Sequence, residues 1–138
     1  QFERVFPLIE RVVQHPAENL ADYLLHSLNC LRDHLGLKTE IIATSRRYGN
    51  ADLRAQARII DICLHEKADL YVNSIGGIEL YDRACFEEKG LKLAFLTPSL
   101  QPHAQGGAGF MPGLSMVDVL MHNDAASIDA QLHGGVLS

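Results

Sequence analysis

Two stretches of this chain carry residue types that could do chemistry. The first is Asn73-Ser74-Ile75-Gly76-Gly77, which joins a short apolar run to a segment that reads as a helix. Successive backbone N–H groups in such a turn, with a helix dipole behind them, attract phosphate or carboxylate. Glu79 and Tyr81 follow in the next turn, where Glu79 could orient a substrate hydroxyl or act as a base and Tyr81 could pack or touch substrate. The second stretch is the loop 97–113, rich in glycine and proline, which holds His103 and Gln105. An imidazole titrates near neutrality, and a long loop can close over a ligand, so His103 is the general acid/base candidate. Catalytic work is therefore assigned to His103 and Glu79, and substrate contacts to Asn73, Ser74, Gly76, Gly77, Tyr81 and Gln105.

Each assignment has a structural alternative. The glycine turn matches neither a P-loop nor the dinucleotide fingerprint, and Asn73 or Ser74 could serve only as a cap. Ser115-Met-Val-Asp118 has the form of a capping box, with the serine capping and the acid reaching back. Ser115, His103 and Asp118 have the composition of a hydrolytic triad, but no nucleophile-elbow pattern surrounds the serine. Capping is the expected role of Ser115. The other histidines, His65 and His122 among them, read as surface or partly packed residues.

The elements that must position these residues follow from periodicity. Phe2, Val5, Phe6, Ile9, Val12 and Val13 define a helix over about 2–14, which stops before Pro16. Leu20, Tyr23, Leu24, Leu28, Leu31 and Leu35 define a second over 17–35, closed by Gly36. A strand is expected at Thr39–Thr44 and a third helix over 52–67, capped by Asn50 or Asp52, with Leu53, Ala57, Ile60 and Leu64 facing the core. A strand at Leu70–Asn73, a helix over 78–89 ending at Gly90, and a strand at Leu91–Leu96 complete a βαβαβ pattern. Alternation of this length implies right-handed crossovers and a mainly parallel sheet in a Rossmann-like, three-layer α/β arrangement. Short helices are expected at 115–122 and 124–133. One α/β domain results, with a helical lead-in over 1–36, the core over 37–96, and the loop and final helices over 97–138. Both chemistry-bearing loops are then expected at carboxyl ends of strands, where open α/β sheets bind ligands, as two walls of one cleft. A first helix already in full register at Phe2 and a sheet of only three strands read as a fragment of a larger domain.

Bulk properties narrow the function. The chain has 138 residues, a formal charge of −5 and 21% charged residues, and it carries no dense basic stripe. That balance belongs to a globular domain and excludes nonspecific nucleic-acid binding. No apolar run approaches the roughly 18 residues needed to span a bilayer. Cys30, Cys63 and Cys85 are odd in number and far apart, which reads as reduced thiols in a cytoplasmic protein. No C-x-x-C is present and no close Cys/His pair is read at ligand spacing, so no metal site is expected. The residues name no cofactor and leave homo-oligomerisation open.

Tyr71-Val-Asn-Ser-Ile-Gly-Gly-Ile-Glu-Leu-Tyr-Asp82, the later Phe86 and Gly90-Leu-Lys-Leu-Ala-Phe95, and Phe110-Met-Pro-Gly-Leu-Ser-Met-Val-Asp-Val-Leu-Met121 resemble the WbqC-like proteins. In that family a tyrosine-x-glutamine element precedes the phenylalanine-x-proline-x-leucine-serine segment. Here His103-Ala-Gln105 takes its place, so the glutamine is kept and the tyrosine replaced. His122 stands where the family has phenylalanine before Asn123. An upstream Gln-Pro-x-Tyr-Leu-Pro-like part of the family pattern is not found in this sequence. The resemblance implies a bacterial enzyme, or its C-terminal part, that transfers an amino-acyl or acyl group onto an activated sugar in surface-polysaccharide assembly. Its small-molecule partner would be a sugar nucleotide or acyl donor. The anion turn also suits a nucleotide-binding enzyme of the nucleotidyltransferase kind, and a non-catalytic scaffold subunit is the third reading.

Overall fold

A computed structural model describes residues 1–107 and 109–138; Ala108, inside the glycine-rich loop, lies outside the described residues. The chain is an α/β protein that divides into two compact units. One comprises residues 1–43 and 100–134, the other residues 44–99 and 135–138.

The first unit is helical. Helices α1 (Phe2–Val13) and α2 (Leu20–His34) are joined by a link containing Pro16, and α5 (Met116–His122) and α6 (Ala125–Leu132) complete the unit. Side-chain caps begin three of these helices: Asn19 accepts from the Asp22 amide, Ser115 from Val117 and Asp124 from Ser127. At the end of α2, Gly36 adopts φ 67°, and the Leu37 amide reaches back to the Arg32 carbonyl. Val5 and Leu8 from α1, Cys30 from α2, Leu120 from α5 and Ile128 from α6 form the buried core. The apolar faces expected for α1 and α2 are narrower than their periodicity suggests. Phe2 and Phe6 stack on each other at 4.8 Å while remaining exposed, and Leu20, Leu24 and Leu28 are exposed too.

The second unit is built on strands β1 (Leu70–Ser74) and β2 (Lys92–Thr97), which run parallel with Leu70 opposite Lys92. A short strand β3 (Val136–Leu137), not foreseen in the sequence, pairs antiparallel with β2, so the sheet is mixed rather than mainly parallel. Helices α3 (Ala55–His65) and α4 (Arg83–Glu87) supply the helical packing. Ile60 and Cys63 from α3, Phe86 from α4, and Leu91, Leu93 and Phe95 form the core of this unit. Cys63 takes the core place expected of Leu64, which is exposed. Leu70 and Val72, pointing to the other sheet face, are also exposed, whereas a three-layer arrangement would bury them.

Three further expectations change. Thr39–Thr44 forms no strand; Thr44 instead caps a 3₁₀ turn at Ser45–Tyr48 by accepting from the Arg46 amide. Neither Asn50 nor Asp52 caps α3. Asn50 is buried, donates to Asp61 and accepts from Arg58, so its amide ties the preceding loop to the helix side. The helix expected over 78–89 is two pieces. Residues Ile75–Leu80 form a 3₁₀ helix, Tyr81 turns extended, and Asp82 caps α4 by accepting from the Ala84 amide. The Gly90 stop is present: φ is 73° there, and the Leu91 amide bonds the Phe86 carbonyl while both side chains are buried.

Candidate functional site

The sequence-assigned residues fall into two groups, one in each unit. Asn73, Ser74, Gly76, Gly77, Glu79 and Tyr81 belong to the sheet-containing unit, and His103 and Gln105 to the helical one. Each group is described by itself.

In the sheet-containing unit the end of β1 runs directly into the 3₁₀ helix, which places Glu79 there rather than in the first turn of an α-helix. Asn73 folds its side chain back so that Oδ1 accepts from the Ser74 amide at 2.7 Å. One N–H of the expected anion turn is thereby engaged. Ser74, Gly76 and Glu79 are exposed, and Gly77 is buried. Tyr81 is a packing residue in position: its ring meets Tyr71 and Phe86 edge-on, and its hydroxyl lies 3.2 Å from that of Tyr71. Burial first, and then the Tyr81 hydroxyl, pushes the Tyr71 phenol above its ordinary range. Burial likewise raises the Cys63 thiol, and all three cysteines are free.

Gly77 is closely approached by the Asn73 side chain. A Cβ at this position would stand 2.9 Å from Asn73 Nδ2 and 3.4 Å from its Cγ. Gly77→Ala is expected to cost about 1 kcal/mol, the low end of the overpacking range, because the nearest atom is the far end of a side chain that can turn aside. In an Asn73→Ala background the cost should fall by at least about 0.5 kcal/mol, since the two side chains then no longer compete. Urea denaturation of the four proteins in the cycle measures this, and strict additivity would show that the contact is not felt.

In the helical unit the loop and α5 build a compact polar cluster around Asp118. His103 Nε2 lies 3.0 Å from Asp118 Oδ2, and Gln105 Nε2 donates to the same oxygen at 2.8 Å. Gln105 also holds the loop closed, donating to the Met111 carbonyl at 3.0 Å and accepting from the Met111 amide at 2.7 Å. His122, one turn along α5, places Nδ1 3.2 Å from Asp118 Oδ1 and 3.0 Å from the Asp118 carbonyl. Phe110 meets the His103 ring edge-on at 5.1 Å. The His103 and Asp118 side chains are only 10% and 14% exposed. A cavity of about 40 Å³ opens beside them, lined in part by Gln101, His103, Gln105, Phe110 and Asp118.

The Gln105 amide, and after it the His103 hydrogen bond and the neighbouring imidazole charges, hold the Asp118 carboxyl below the usual carboxylate range. Partial burial opposes them and loses. The cluster is therefore organised around a carboxylate that stays ionised at neutral pH. Its neighbours present one amide and two imidazoles, which can store a proton, orient one or share a cation.

This cluster revises the sequence assignments. Ser115 does cap α5, but the Asp118 carboxylate faces the histidines, so the reciprocal half of the capping box is replaced. The two ring nitrogens of His103 face Asp118 and the Gln101 carbonyl, which leaves the triad with Ser115 without its central contact. Gln105 is committed at both ends of its amide and acts as a positioning residue. Asp118 and His122 are the members that sequence reasoning passed over, although their i, i+4 spacing places them on one helix face. Larger cavities of about 450 Å³, beside Arg4, His34 and Asp129, and about 390 Å³, beside Leu53, Gln56 and Lys89, lie away from every assigned residue.

The chain belongs to the WbqC-like protein family, whose model matches residues 1–130. No curated protein and no solved structure matches it. Among the described residues no helix is long and apolar enough to cross a membrane.

Proposed function

We propose that this chain is part of a bacterial cytoplasmic transferase that places an amino-acyl or acyl group on an activated sugar for surface polysaccharide. The observation that carries this reading is the His103–Asp118 pair: a little-exposed imidazole held at 3.0 Å by an ionised carboxylate, on a loop pinned by Gln105. Such a pair can take a proton from an amine or hydroxyl as it attacks an acyl carbon, while the carboxylate stabilises the imidazolium that forms. The new bond joins the sugar nitrogen or oxygen to the acyl carbon, and the donor's leaving group departs with the old bonding electrons. In the other unit Ser74, Gly76 and Gly77 are the proposed contacts for an anionic group, with Asn73 and Glu79 bearing on polar substrate groups and Tyr81 packed behind them.

Two measurements test the proposal. His103→Ala and Glu79→Ala, introduced separately in the producing cell, should each remove the acyl-modified sugar from the surface glycan. Unchanged glycan composition in both would reject it. A thermal-shift screen of the protein should show stabilisation by sugar nucleotides or acyl donors. Stabilisation by nucleoside triphosphates instead would favour nucleotidyl transfer, and a stable ligand-free complex with another pathway enzyme would favour a scaffold.

A further inference from the structure

The sequence offers no metal-binding motif, yet the fold assembles a donor set that no motif would reveal. His103, Asp118 and His122 each present one ligand atom, and these three atoms all lie within 4.8 Å of one another. We propose that these residues form a binding site for a first-row divalent transition cation of the zinc type.

The distances support this directly. Around a tetrahedral zinc with bonds of about 2.0–2.1 Å, neighbouring ligand atoms stand roughly 3.3–3.4 Å apart. His103 Nε2 stands 3.0 Å from Asp118 Oδ2, and His122 Nδ1 stands 3.2 Å from the other oxygen, Oδ1. Whichever oxygen serves as the ligand, one edge to a histidine is near the required separation, and the three ligand atoms otherwise lie within 4.8 Å of one another, so the remaining edges have to shorten. Two imidazoles and one carboxylate suit zinc, iron or cobalt, whereas calcium and magnesium prefer oxygen alone. Three protein ligands leave a coordination position open, and the 40 Å³ cavity beside His103 and Asp118 has room for a water to occupy it.

The surroundings have the form that such a site needs. Gln105 donates to the Asp118 oxygen that faces His103, fixing the carboxylate's orientation. The Gln101 carbonyl lies 3.4 Å from His103 Nδ1, the far nitrogen of the ring. Outer contacts of these two kinds orient metal ligands in known sites. Donor counting points the same way. A neutral imidazole has one N–H, yet His103 sits between two oxygen acceptors, so the ring needs a second positive partner on one side. A proton or a metal ion fills that place.

Two other Asp–His pairs in the chain provide an internal comparison. Asp61–His65 and Asp129–His133 have the same i, i+4 spacing and the same bond from imidazole to the preceding-turn carbonyl. Among the described residues neither belongs to a group of three donors, and the side chains of both pairs are more exposed than those of Asp118 and His122. The third donor, delivered by the loop, is what distinguishes Asp118–His122 from an ordinary helix-surface pair.

The inference stands on this cluster alone and does not require the transfer reaction. With a metal in place, His103 would serve as a ligand, and the ion would supply a bound hydroxide as the base in its stead.

The test uses chelator-treated full chain titrated with Co²⁺ and Zn²⁺, followed by calorimetry and by the visible absorption of cobalt. The expected result is one ion per chain, with a cobalt spectrum showing nitrogen and oxygen ligation. His122→Gln, on the exposed face of α5, and His103→Ala should each weaken binding at least about 100-fold, and Gln105→Ala about 10–100-fold. His65→Ala should leave binding unchanged. The proposal is overturned if wild type takes up neither ion at one equivalent, or if uptake survives both His122→Gln and His103→Ala. Equal affinity for Mg²⁺ or Ca²⁺ would also overturn it. Circular dichroism of each variant separates loss of ligand from loss of fold, and His122→Gln decides the matter if His103→Ala does not fold. Since the readout is metal uptake, its failure is distinct from an unchanged glycan composition.

Discussion

Phe86→Ala is expected to destabilise the chain by about 3–5 kcal/mol, a large share of the roughly 5–15 kcal/mol that holds a domain folded. Phe86 is 0% exposed, the most enclosed side chain of its core. Its ring stacks on Tyr71 at 5.6 Å with 10° between planes and meets Tyr81 edge-on at 6.0 Å. Leu91, just before β2, and Leu93 and Phe95 within it complete the surroundings. Truncation removes the transfer energy of the ring and opens a void that the sheet, held by β1–β2 pairing, cannot collapse to fill. The Phe86 carbonyl also receives the bonds that stop α4 at Gly90, so a shift of this residue disturbs the entry to β2. Urea denaturation should show a lower midpoint with an unchanged slope. Phe86→Leu should recover much of the loss, because most of the volume stays. A cost below about 1 kcal/mol for alanine would contradict the packing described.

Leu120→Ala should cost about 2–5 kcal/mol, with a different consequence. Leu120 is 1% exposed and lies between Asp118 and His122 on a helix of only seven residues. Its side chain anchors α5 among Val5, Leu8, Cys30 and Ile128. A helix this short has little intrinsic stability, so its position depends on that anchor. Loss of the anchor is expected to loosen the Asp118 cluster along with the core. Leu120→Met, which keeps the volume, should cost less than about 1.5 kcal/mol and leave the cluster intact. Denaturation curves together with the chemical shifts of the His103 and His122 imidazoles report both effects. Alanine that lowers stability while leaving those shifts untouched would show that α5 is held by something else.

What could be read from the chain and what could not divide along physical lines. Helices with strong punctuation were legible: Gly36 and Gly90 stop helices where expected, and Ser115 caps where expected. Strands β1 and β2 were legible from short apolar runs between turn residues. The failures are tertiary. Thr39–Thr44 has the composition of a strand but forms no sheet pairing, and composition cannot supply a partner. Val136–Leu137 is too short to announce itself and exists because Leu96 and Thr97 pair with it. Tyr81 breaks the helix expected over 78–89 because its ring packs against Tyr71 and Phe86. For the site, His103 and Gln105 were visible as polar residues in a glycine-rich loop. The role of Asp118 was hidden, since a cap and a cluster centre look identical until the loop is folded onto the helix.

The order in which the two units are threaded has a consequence for the growing chain. Helices α1 and α2 belong with α5 and α6, yet residues 44–99 stand between them in sequence. At about 5–20 residues per second, translation leaves Val5, Leu8 and Cys30 without their later partners for several seconds. During that interval the sheet-containing unit can begin to form β1–β2 pairs while the helical unit waits for Leu120 and Ile128. Residues 135–138 then return to the sheet, with Ser138 and Phe95 exchanging backbone hydrogen bonds. Over residues 1–138, synthesis therefore makes part of the helical unit, then most of the other, then the rest of the first, and only afterwards the returning segment of the second. The apolar stripe of α1 is the segment most in need of protection from aggregation while the ribosome is still at work.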